Sequence, residues 1–128
     1  MSLNPNLKNF LENVKKKKNT LVWKKINSDL DTPVSAYLKL CKNKTNTFLL
    51  ESVQDGRHKG RYSIIGMLPD KIWKCEKGTA YIKKNSKFQK IRQEPLLSLK
   101  ELINSSRIDF PNFLPPMSAG LVGYLSYE

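Results

Sequence analysis

The sequence predicts an α+β fold: a mainly antiparallel β-sheet with about three helices packed on it. Two observations carry this. Runs of β-branched and aromatic residues come in neighbouring pairs joined by polar, glycine-containing connections, Phe48–Glu51 with Arg61–Gly66 and Ile72–Glu76 with Thr79–Lys83. Three other stretches place apolar residues at helical spacing, each with a proline at its start: Pro5, Pro33 and Pro95.

In chain order, the first helix is expected from Asn4-Pro5 to Lys18, with Asn4 as cap and Leu7, Phe10, Leu11 and Val14 forming one narrow apolar face. Leu21–Ile26 reads as a strand candidate. Thr32 is a good N-cap and Pro33 a good first residue for a second helix running from Val34 to about Lys42, with Val34, Tyr37, Leu38 and Cys41 on one face. The hairpin of Phe48–Gly66 follows. Leu68-Pro69-Asp70 is a turn, and Lys77-Gly78 fits a tight hairpin between the next two strands. Trp73 and Tyr81 read as cross-strand core partners rather than as a platform for stacking bases. Asn85–Glu94 is a loop or a short strand. Pro95–Ser105 is the third helix, with Leu96, Leu99, Leu102 and Ile103 as its buried face. A proline-rich extended stretch then leads to Met117–Tyr127, whose alternation reads as a buried strand. Its small residues Ser118, Ala119, Gly120 and Gly123 would let a backbone or ligand approach closely.

Length and composition bound the function. The 128 residues make one domain at most. No run of 18 apolar residues is present, and the first twenty residues lack the apolar core of a secretory signal. The net charge of +12 would suit a nucleic acid or an anionic membrane, but the basic residues are overwhelmingly lysine and asparagine is abundant too. That pattern fits a lysine-biased composition better than a nucleic-acid or membrane surface, and no aromatic-interleaved RNA motif is present. Two cysteines and one histidine are too few for a zinc site, so Cys41 and Cys75 are expected as buried or half-buried thiols in a reducing compartment. There is no Walker loop, GxGxxG or HExxH, and Gly56 and Gly60 are turn chemistry.

The candidate site lies in the Phe48–Gly66 hairpin. Pairing its strands would bring Glu51, Ser52, Arg61 and Ser63 together at the rim of a sheet. A carboxylate, a guanidinium and hydroxyls are the groups that hold a small zwitterion. From spacing alone, an ordinary hairpin with a solvated loop is the simpler reading.

The stretch LLESVQDGRHKGRYSIIG resembles a signature near the start of the large component of anthranilate synthase. DLDTPVSAYLKL at 29–40 and LPPMSAGLVGYLSYE at 114–128 agree with it in order and spacing, so the resemblance runs from about Leu21 to the last residue. It implies a lyase of tryptophan biosynthesis that converts chorismate and glutamine-derived ammonia to anthranilate and pyruvate. It implies that residues 1–128 are the N-terminal, regulatory region. The chorismate-binding region, with its magnesium-holding carboxylates, would lie later, so the chain is expected to be a fragment, inactive alone. The resemblance further implies an allosteric L-tryptophan site at Leu50, Glu51, Ser52, Arg61, Tyr62 and Ser63, with Ser52 central, and a helix from the Thr-Pro-Val segment set against the pocket strand. The implied partners are a glutamine amidotransferase subunit (component II) and the remainder of the same chain. The implied location is cytoplasmic, with no nucleic acid or membrane involved. Aminodeoxychorismate synthase component I, a paralogue in which tryptophan is structural, is the alternative within the enzyme class. A stand-alone basic module binding an amino acid or a nucleic acid is the alternative outside it.

Overall fold

In the computed structural model, residues 2–51, 62–109, 111–115 and 117–127 are described. Their elements are three helices and five strands in two antiparallel sheets, an α+β architecture. Two compact units divide the chain: residues 1–26, 75–80 and 91–128, and residues 27–74 with 81–90.

In the second unit, α2 (Pro33–Cys41) starts as its sequence dictates. Thr32 accepts from the Ser35 amide and Ser35 accepts from the Thr32 amide, a reciprocal capping box with Pro33 in the first turn. Asp31 adds a third partner. It accepts from the Ser35 hydroxyl at 3.1 Å and forms an ion pair with Lys39. The Lys39 ammonium, and next the Ser35 hydroxyl, hold the Asp31 carboxyl below the usual carboxylate range. Cys41 is buried, but Val34 and Leu38 are exposed. The inner face therefore runs through Pro33, Ala36, Tyr37 and Cys41, one residue round from part of the expected stripe.

This helix packs on the two-stranded sheet of β1 (Phe48–Glu51) and β2 (Ser63–Gly66), as the resemblance implies. The Tyr37 hydroxyl and the Thr47 hydroxyl, 2.8 Å apart, tie the helix to the residue before β1. A two-stranded ribbon is marginal alone, so the helix supplies the apolar cover that the ribbon needs.

The second sheet has the order β3-β4-β5, from β3 (Ile72–Glu76), β4 (Thr79–Lys84) and β5 (Lys87–Lys90). Lys77 and Gly78, at φ +49° and +72°, make the expected two-residue turn. Asn85 and Ser86, at φ +54° and +88°, make a second one, so the polar stretch after β4 folds back as a strand. On this sheet the Lys74 ammonium lies 4.6 Å from the Phe88 ring centroid and 5.7 Å from that of Tyr81. Trp73 and Tyr81 are half-buried. Cys75 is exposed, contrary to expectation, because it lies toward the hairpin tip, where both flanking turn residues are exposed too.

In the first unit, α1 (Leu7–Lys15) is shorter than its pattern. Its cap is Asn6, which accepts from the Asn9 amide at 2.9 Å. Asn4 cannot serve, because its backbone N–H and C=O are both bonded to Trp23. At the other end the Lys17 amide reaches the Val14 carbonyl and the Lys18 amide reaches the Asn13 carbonyl, with Lys17 at φ +51°. That is a Schellman stop built on lysine instead of glycine. The strand candidate Leu21–Ile26 is reduced to a single bridge at Trp23, whose ring meets Phe113 edge-on at 5.4 Å.

α3 (Pro95–Ser105) matches its expected span, and the Glu94 carboxylate caps it by accepting from the Leu96 and Leu97 amides. Its buried residues are Ser98 and Leu102, and Leu96 and Ile103 are exposed. Met117–Tyr127 forms no strand, and Tyr124 and Leu125 are 93% and 75% exposed. Among the described residues it pairs with no strand, and an unpaired backbone forms no ladder. Among the described residues the buried apolar ones are Cys41, Ala80 and Leu102.

Candidate functional site

The ladder between β1 and β2 pairs Phe48 with Gly66, Leu49 with Ile65, Leu50 with Ile64 and Glu51 with Ser63. Side chains directly opposite in an antiparallel pair share a face, with Cβ atoms roughly 5 Å apart. Glu51 and Ser63 therefore form the terminal rung, on the face that carries Leu49 and Ile65. Leu50 and Ile64 lie on the other face, and the strand alternation carries Tyr62, just before β2, to that same side. So the structure brings together Glu51 and Ser63, and separately Leu50 and Tyr62, with the two pairs on opposite faces at one end of the ribbon. Glu51 and Ser63 are exposed and Tyr62 is half-buried. Ser52 and Arg61 lie outside the described residues.

The chemistry of this end is a carboxylate and a hydroxyl on one face and an aliphatic and a phenolic side chain on the other. The first pair can accept from an ammonium and donate to a carboxylate. The second offers the edge of an apolar slot.

A depression of about 490 Å³ lies elsewhere, in the first unit, against the end of α3. Ile103, Arg107, Ile108, Asp109, Gly120 and Leu121 are among its lining residues. Its signal in the sequence is the run Ser118-Ala119-Gly120, of which Ala119 and Gly120 line it. The Asn19 side-chain amide donates to the Ser105 and Arg107 carbonyls, at 3.3 and 3.2 Å, and fixes the chain as it leaves α3. Neither Arg107 nor Asp109 stood out in the sequence, because neither has a motif around it.

Among the described residues no three or more His, Cys, Asp or Glu side chains gather in a way that could hold a metal ion. No helix among them is long and apolar enough to cross a membrane.

No family model matches the chain, and no solved structure matches it. Several curated proteins do. The anthranilate synthase component 1 of Cereibacter sphaeroides is 46% identical over 115 residues, covering 86% of this chain and 23% of that protein. The component 1 of Synechocystis is 35% identical over 98% of this chain and 25% of its own length. That of Thermus thermophilus is 38% identical over 101 residues, 79% of this chain and 21% of the relative. The chain thus spans about a quarter of the length of the relatives it matches. Identity at this level across nearly the whole sequence, in relatives that share one name, places the chain in the anthranilate synthase component 1 family.

Proposed function

We propose that this segment is the tryptophan-sensing, N-terminal part of an anthranilate synthase large component. The whole enzyme would convert chorismate and glutamine-derived ammonia to anthranilate and pyruvate, with ammonia delivered by a component II amidotransferase in the cytoplasm. This segment would contribute regulation and no catalytic group. The observation that supports the reading is the register of the ribbon, which sets Glu51 opposite Ser63 on its last rung.

In this reading the ligand ammonium meets the Glu51 carboxylate. Its carboxylate meets donors from Ser52, Arg61 and Ser63, while Leu50 and Tyr62, on the other face of the ribbon, flank the site without touching the same ligand. Tryptophan inhibits because it binds the inactive arrangement more tightly than the active one, and the active arrangement must then bind tryptophan less well by the same factor. Magnesium would be held elsewhere in the enzyme.

The test is inhibition by L-tryptophan of the enzyme carrying this segment. Ser52→Arg should raise the inhibitory concentration at least tenfold, because a long cation would fill the space of the ligand. Arg61→Ala should weaken binding by about 1–3 kcal/mol if its guanidinium meets the ligand carboxylate. Unchanged inhibition in both variants would remove the hairpin from the site.

A further inference from the structure

We infer that Gly66 is a positioning residue for the tryptophan site, an inference that rests on the function proposed above and adds to it. Gly66 sits at the opposite end of the ribbon from the site, paired with Phe48 on the first rung. A Cβ at position 66 would fall within 2.7 Å of three atoms of the Phe48 ring, a separation that real Cβ atoms do not show. The ring therefore lies over the glycine and occupies the space that any other residue's Cβ would need.

This contact fixes two things together. It places the Phe48 ring on the face that also carries Leu50 and Ile64. It also locks the register, because a slip of one residue would put the ring over Ile65 or Met67, where a side chain already stands. Glu51 meets Ser63 only in the locked register. A slip would offset the two and turn one of them to the other face. Gly66 touches no ligand in this account and acts entirely through the ladder, three residues from Ser63.

The experiment is a double-mutant cycle on the full-length protein carrying this segment, read by L-tryptophan binding and by uninhibited turnover. Gly66→Ala should raise the tryptophan Kd at least tenfold with turnover in the absence of tryptophan within twofold of the unaltered protein. Phe48→Ala should raise Kd about threefold. The double variant should be no worse than Phe48→Ala alone, since without the ring the added methyl meets nothing.

Multiplicative effects in the cycle, or an unchanged Kd in Gly66→Ala, would overturn the inference. If Gly66→Ala fails to fold, recovery of folding and binding in the double variant supports the inference, and failure to recover overturns it. Absence of any tryptophan binding by the unaltered protein would instead overturn the function on which the inference rests.

Discussion

Two stretches of this chain carry the same kind of strand signal and end differently. Phe48–Glu51 and Ser63–Gly66 form a ladder with full register, covered by α2. Met117–Tyr127 has comparable alternation and more apolar residues, yet it forms no strand and exposes Leu121, Val122, Tyr124 and Leu125. The difference lies in the neighbour and not in the residues. Strand propensity measures how well side chains suit a pleated, half-buried surface, and it becomes structure only where a partner strand and a covering layer exist. The hairpin has both.

The largest expected contrast comes from removing the aromatic side chain of each stretch. Phe48→Ala should cost about 2 kcal/mol, less than for a fully buried ring because Phe48 is half-buried. Tyr124→Ala should stay within about 0.5 kcal/mol, as for an exposed residue without a structural partner. Urea midpoints at constant slope would measure both, and equal losses would remove the distinction between the stretches.

A smaller effect tests whether the helical cover matters to the ladder. Thr32→Ala removes one arm of the capping box and should cost about 1 kcal/mol. If the cover is needed, amide exchange in Leu49 and Ile65 should quicken together with exchange in α2. Exchange that quickens in the helix alone would show a ribbon independent of its cover.

Lys17→Gly should stabilise the protein by about 0.5–1 kcal/mol, because glycine takes the left-handed conformation of that position without penalty. An unchanged urea midpoint would mean that the lysine meets no strain there.

The smallest effect is electrostatic. The folded-state pKa of Asp31 is depressed, so its contribution is present above the unfolded carboxylate pKa and is lost as pH falls through the folded value. Acid titration should therefore lower stability in the range below the usual carboxylate pKa, and Asp31→Asn should flatten that limb slightly. Asp31 is exposed, so added salt should shrink the effect. An identical acid limb in the variant would assign the slope to other groups.

What was legible in the sequence follows from how local each signal is. The cap of α2, the Lys77-Gly78 turn and the span of α3 are fixed by residues within four positions of one another, and they stand where the sequence puts them. The ends of α1 were not legible in the same way. The bond of Asn4 to Trp23 crosses nineteen positions and displaces the cap to Asn6, and the stop at Lys17 uses a residue with no turn preference. The exposed Val34, Leu38, Leu96 and Ile103 show a further limit, since periodicity gives the width of an apolar stripe but not which part of it is covered. At the candidate site the sequence named the residues at one end of the ribbon, and the register then separated them. Glu51 with Ser63, and Leu50 with Tyr62, take opposite faces, which only the ladder could reveal.

The most direct test of the central claim is calorimetric titration of L-tryptophan into the protein carrying this segment, with Glu51→Ala and Ser52→Arg in parallel. One saturable site is expected, with an affinity that falls at least tenfold in each variant. Binding that is absent, or that is the same in all three proteins, would contradict it.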